Sequence, residues 1–82
     1  MDVHVKAARA KQLLEDVVLK EALDVLLSEQ IGIFESPSAS QEEIMEAHRM
    51  VRSLSQLKAK LQSFVNDGRF LERRQDKVRH RG

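Results

Sequence analysis

Apolar residues recur at helical intervals through most of this 82-residue chain. In a first long segment, from Val17 to about Phe34, they follow one another at three- and four-residue steps, the spacing that places side chains on one face of a helix. The stripe consists of Leu19, Leu23, Leu26, Leu27, Ile31 and Phe34, widened by Val18, Ala22 and Val25. A stripe this wide predicts contact with more than one neighbouring helix.

A second long segment begins at Gln41 and follows a heptad-like seam, which predicts a helix from about residue 41 to residue 66. The seam residues are Ile44, Ala47, Val51, Leu54, Leu61 and Val65, flanked on one side by Met50, Leu57 and Phe64. Lys58 occupies an apolar position of this seam. Its ammonium group either reaches the surface along its aliphatic stem or sets the register against a partner.

Capping residues predict where the helices begin. A short N-terminal helix starts near Val3, and Asp16 is the predicted N-cap of the next helix, so we expect a break near residues 15–17. Ser40 and Glu43 have the spacing of a capping box, in which each residue bonds the backbone amide of the other. This pair is the clearest helix start in the chain.

Two other signals predict helix ends. Pro37 disfavours helical geometry at Ser36 and ends the second helix. The sequence Asn66-Asp67-Gly68 predicts the end of the third helix, with Gly68 in the left-handed conformation. The expected fold is an all-α helical hairpin, with a short N-terminal helix and two long antiparallel helices. Because a chain of this length builds a marginal core, we expect oligomerisation or a partner to complete it.

Composition narrows the cellular setting. Cysteine is absent, which excludes disulfides and cysteine-based zinc sites and favours an intracellular or virion-internal location. The N-terminus lacks the pattern of a signal peptide, and no apolar run approaches the roughly 18 residues that span a bilayer. The sequence therefore predicts a soluble protein without a membrane partner.

Charge divides the chain into two predicted units. Residues 1–68, the hairpin domain, carry eight Lys and Arg against eleven Asp and Glu, a balance of −3, whereas residues 69–82 form a basic tail with a balance of +4. The tail residues that would contact nucleic-acid phosphates are Arg69, Arg73, Arg74, Lys77, Arg79 and Arg81, and Phe70 would stack on a base. The alternative is a solvated terminus that aids solubility or meets acidic helices of a neighbouring subunit, and Glu72 and Asp76 favour it.

No catalytic, cofactor or metal site is predicted. The histidines His4, His48 and His80 are scattered and lack the helical spacings of metal ligands. The acidic cluster Glu42-Glu43-Glu46 lies where carboxylates stabilise a helix N-terminus, which is a sufficient structural reason for it. Ser53 and Ser55 lack a glycine-flanked turn, and no glycine-rich phosphate loop is present. We therefore expect a noncatalytic protein with no cofactor and no small-molecule substrate.

Two groups of residues carry a resemblance to a known class of proteins. They are Arg9-Ala10, Leu13-Leu14, Asp16, Leu19 and Glu21-Ala22 in the first half, and Leu54, Leu57, Leu61 and Asn66-Asp67-Gly68-Arg69 in the second. Over about residues 9–69 the chain resembles the small all-helical virion-assembly proteins of tailed bacteriophages and prophages. The resemblance implies a noncatalytic role in building or filling a particle, in the cytoplasm of a bacterial host or in the virion.

The leading hypothesis is a protein–protein interaction module whose partner is another copy of the chain or another virion-assembly protein. Its predicted contact residues, with core and interface positions not yet separated, are Leu19, Leu23, Leu27, Ile31, Leu54, Leu57, Leu61 and Phe64. The alternative is a small nucleic-acid-binding or regulatory protein that uses the basic tail.

Overall fold

The chain folds into three α-helices joined without β-structure in the part that is described. A computed structural model describes the backbone of residues 1–80 and the side chains of residues 1–74. Helix α1 spans Val3–Glu15, α2 spans Val17–Glu35 and α3 spans Gln41–His80. The predicted all-α helical hairpin is confirmed.

Helices α1 and α2 follow one another along a single long α3. His4 and Ala7, near the start of α1, lie close to Gly68 and Glu72 of α3, whereas Leu14 and Leu19, on either side of the α1–α2 break, lie close to Leu61. Both helices therefore run antiparallel to α3. The result is a rod with extents of 67 × 23 × 20 Å, whose length is that of α3, since 40 helical residues span about 60 Å.

The interruption between α1 and α2 is a single residue with a capping side chain. Asp16 has φ −68° and ψ 123°, which is extended backbone, and its Oδ1 accepts a hydrogen bond of 2.8 Å from the amide of Leu19. The predicted break and N-cap are confirmed. Asp2 caps α1 in the same way, accepting a hydrogen bond of 2.6 Å from the amide of His4; the sequence analysis did not predict this cap.

The turn between α2 and α3 has the predicted capping box. The amide of Glu43 donates to Ser40 Oγ at 3.1 Å, and the amide of Ser40 donates to Glu43 Oε1 at 3.2 Å. Ser36, before Pro37, is extended at φ −76° and ψ 120°, as the proline ring requires of the preceding residue. Two backbone amides at the start of α3 are thus satisfied without ordering a long loop.

The predicted helix end at residues 66–68 is wrong. Helix α3 continues through this segment to His80, and no glycine among the described residues has a positive φ. Gly68 is buried against α1, where a Cβ atom built on it would lie 2.5 Å from the Cβ of Ala7. Glycine here permits close helix approach, and packing against α1 outweighs its low helix propensity. The division at residue 68 stays a prediction, although α3 crosses it without interruption.

The core is a narrow seam between α3 and the other two helices. The buried apolar residues among those described are Ala10, Leu23, Ala47 and Val65. At the edge of the seam Lys6 lies over the ring of Phe64, with its Nζ 4.5 Å from the ring centroid, a geometry that permits a cation–π interaction. Because two packed helices share only one line of contact, most other apolar side chains keep part of their surface in solvent.

Candidate protein interface

The predicted contact residues divide between the seam and the surface. Leu23 is buried, and five others are half-buried along the seam: Leu19, Leu27, Leu54, Leu61 and Phe64. Of these six, Leu19, Leu23 and Leu61 line one cavity inside the hairpin. Ile31 and Leu57 are 43% and 46% exposed. Of the predicted set, these two keep the most surface for a partner.

The outward side of α2 carries exposed apolar residues, including Val18 and Val25, which were predicted to widen the apolar stripe of this helix. Val17 and Val18 are 76% and 74% exposed, and Val25 is 50% exposed. Val17 and Val25 belong to a shallow depression, here called the α2 groove, which is lined by Val17, Lys20, Glu21, Asp24, Val25, Ser28 and Glu29. All seven residues belong to α2, so the groove is one open face of this helix, on which two valines lie beside three carboxylates and one lysine.

A small cavity lies where α1 ends, α2 begins and both meet α3. Its volume is about 300 Å³, and it is lined by Leu13, Leu14, Leu19, Lys20, Leu23, Asp24, Lys58 and Leu61. Lys58 is exposed and borders this cavity, which is the placement expected when its aliphatic stem covers apolar surface and its ammonium group reaches solvent. The cavity thus lies beside the break that Asp16 makes between α1 and α2.

A basic surface lies near the C-terminal end of α3. Val65, Gly68, Arg69 and Glu72 lie beside α1. Helical spacing places Phe70 and Arg74 on the other side of α3, and Arg73 lies between the two sides. The exposed residues Arg69, Phe70, Arg73 and Arg74 are called the basic face of α3 below.

Phe70 is 63% exposed and shares a shallow hollow with Arg69 and Arg73. Of the remaining predicted tail residues, Lys77 and Arg79 belong to α3 but their side chains lie outside the described residues. Arg81 lies wholly outside them. The hollow around this exposed aromatic ring is therefore lined by Arg69 and Arg73 together with the acidic Asp67.

The acidic and polar residues near the start of α3 are engaged in local contacts. Glu43 belongs to the capping box, Glu46 Oε2 accepts a hydrogen bond of 3.0 Å from Arg49, and Ser53 Oγ donates to the Arg49 carbonyl at 3.0 Å. Within the described residues, no group of three or more His, Asp and Glu side chains is arranged to hold a metal ion. None of the helices, over those same residues, is both long enough and apolar enough to cross a membrane.

Comparison with protein-family models, with curated proteins and with solved structures finds no match. We therefore infer function from the surfaces of the chain itself. Two of these surfaces combine apolar and charged residues: the α2 groove, with two valines among three carboxylates, and the basic face of α3, with Phe70 beside arginines and Asp67.

Proposed function

We propose that the chain is a noncatalytic protein–protein interaction module. The observation that carries the proposal is the helical spacing of its exposed apolar residues. Val18, Ala22 and Val25 follow three- and four-residue steps on the outward side of α2, and Met50 and Leu57, seven residues apart, follow a second line on α3. Side chains at this spacing lie on one face of the helix and form an apolar stripe. Exposed apolar stripes of this kind are surfaces to which other helices bind.

A role in particle assembly is the more specific form of this proposal. It is supported by the resemblance of residues 9–69 to phage virion-assembly proteins and by the rod shape of 67 × 23 × 20 Å, which offers a long side for lateral contact. The partner is then another copy or another assembly protein, in the bacterial cytoplasm or the virion. The chemistry required of the chain is burial of apolar surface, the dominant favourable term in protein association.

The test is sedimentation equilibrium of the chain over a wide concentration range, alone and co-expressed with the products of neighbouring genes. We expect association that is weakened at least about tenfold by Val25→Gln or Leu57→Gln, since each change removes an exposed apolar contact, and tenfold corresponds to about 1.4 kcal/mol. Met45→Gln is the matched control, because Met45 is 50% exposed and lies outside both stripes. A folded monomer under every condition would contradict the proposal, and equal effects of all three variants would contradict the assignment of the stripes.

A second candidate function, nucleic-acid binding, is favoured by the exposure of Phe70 between Arg69 and Arg73. Arginines bind phosphates and an exposed aromatic ring stacks on a base. In fluorescence anisotropy with labelled duplex and single-stranded oligonucleotides, we expect affinity to fall steeply with salt. Arg73→Gln should lower the slope of log affinity against log salt by roughly one. Unchanged affinity after truncation beyond Gly68 would exclude this candidate.

A further inference from the structure

We propose that the α2 groove binds a second copy of this chain, and that the basic face of α3 is the surface of that copy which enters it. The inference rests on the interaction function proposed above and names the partner. It joins two of the surfaces that the hairpin leaves exposed. Both lie on α-helices whose side chains are described, so the residues of each can be compared directly.

Charge complementarity is the first argument. Around the groove Glu21, Asp24 and Glu29 outnumber the single Lys20. Among the side chains of residues 1–74, the sole ion pair joins Arg49 to Glu46. The carboxylates of the groove therefore form no ion pair with a basic side chain in that part of the chain. The basic face presents Arg69, Arg73 and Arg74, which outnumber the single carboxylate of the same hollow, Asp67. Opposite potentials of this kind steer association and fix register between copies.

Spacing is the second argument. On α2, Glu21 and Glu29 each lie four residues from Val25, which is about 6 Å along a helix. On α3, Arg74 lies four residues from Phe70, on the same side of the helix. If Phe70 packs on Val25, Arg74 therefore comes opposite Glu21 when the two helices run antiparallel and opposite Glu29 when they run parallel. The contact satisfies an apolar pair and an ion pair in either direction.

The assembly that follows is head-to-tail. The groove and the basic face are different surfaces, so each new copy still presents one unfilled groove and one free basic face. Growth stops only where the contacts close into a ring. A chain that joins copies in this way suits a protein that builds a larger structure, and its association should weaken with salt because exposed charges are screened.

Charge reversal on each surface, followed by mixing, tests the contact. One variant carries Glu21→Lys and Glu29→Lys, and the other carries Arg73→Glu and Arg74→Glu. By sedimentation velocity at low ionic strength, each variant alone should associate at least about tenfold more weakly than the unmodified chain, since like charges then face each other. An equimolar mixture should regain association, because Lys meets Glu at one contact and the original Arg meets Glu at the other.

Matched single reversals at exposed residues outside both surfaces, Glu35→Lys and Arg52→Glu, should leave association unchanged. Helical circular dichroism of every variant checks that the hairpin remains folded. A mixture that associates no better than its components would overturn the inference while leaving the interaction function intact. A strictly monomeric unmodified chain would also overturn it, and the experiment with neighbouring gene products then decides the interaction function separately.

If the Arg73/Arg74 variant loses oligonucleotide binding but keeps self-association, the basic face serves nucleic acid and the inference fails. Loss of self-association together with its recovery on mixing supports the inference whether or not oligonucleotides also bind. The measurements of self-association and of oligonucleotide binding together therefore distinguish a second copy of the chain from nucleic acid as the partner of the basic face.

Discussion

Adding one methyl group at Gly68 tests how closely α1 and α3 pack. The Cβ atom of an alanine at this position would lie 2.5 Å from the Cβ of Ala7, whereas nonbonded carbon atoms are at their optimum about 3.5–4.0 Å apart. Both atoms are fixed to backbone, so neither can rotate away. Relief requires the two helices to separate by about 1 Å, the difference between these distances.

Gly32 provides a matched control for the same substitution. It lies inside α2 without a positive φ, and a Cβ built there meets no atom within 4 Å. Gly32→Ala should therefore stabilise the fold by about 0.5–1 kcal/mol through helix propensity alone. Gly68→Ala raises helix propensity by the same amount, but its added methyl group overpacks the contact between α1 and α3. This overpacking costs about 1–3 kcal/mol of stability. We expect the two variants to differ by about 1–3 kcal/mol, with Gly68→Ala the less stable.

Urea unfolding followed by circular dichroism at 222 nm measures this difference. All variants should be compared at one protein concentration, because association adds to apparent stability. The double variant Ala7→Gly/Gly68→Ala removes one of the two clashing methyl groups. We expect it to be more stable, by about 1–3 kcal/mol, than the summed effects of the two single substitutions predict. If Gly68→Ala stabilised the chain as much as Gly32→Ala, the close approach of α1 and α3 would be refuted.

Three further predictions concern single contacts. Leu23→Ala should lower the free energy of unfolding by about 2–4 kcal/mol, since Leu23 is 8% exposed in the seam; a loss below about 1 kcal/mol in urea unfolding would contradict its burial. Asp16→Ala should cost about 1 kcal/mol in thermal unfolding by removing the α2 cap, whereas an unchanged midpoint would mean that the cap contributes nothing. A double-mutant cycle on Glu46 and Arg49 should give a coupling energy below about 0.5 kcal/mol, because their side chains are 73% and 65% exposed, and a value above 1 kcal/mol would contradict this.

The features that the sequence predicted correctly depend on neighbours a few residues away. Asp16 caps an amide three residues on, and the Ser40–Glu43 box closes over the same distance. Such contacts form whenever the local backbone is helical, so the residue types alone indicate them. The break at Asp16 and the turn before Gln41 were predictable for this reason.

The error at Gly68 has a long-range cause. Asn66-Asp67-Gly68 has the composition of a helix end, and its local propensity does not distinguish a left-handed cap from a glycine that admits another helix. Ala7, at the other end of the chain, decides between them. Val18, Ala22 and Val25 were predicted to widen the stripe of α2 but were not among the predicted contact residues, for a similar reason. Periodicity indicates a wide apolar face but not which part of it, Leu23 or Val25, meets α3.

The small size of several buried residues connects the core to the proposed interface. Ala10 and Ala47 are 2% and 1% exposed, and Gly68 is buried beside Ala7. Where small residues meet, helix axes approach closely, and larger side chains at the flanks lie beside the contact rather than within it. Val25 and Leu57 lie outside this narrow seam, where they are 50% and 46% exposed. Larger side chains at Ala10, Ala47 or Gly68 would separate the helices, so the narrow width of the seam, which leaves Val25 and Leu57 outside it, depends on these small residues.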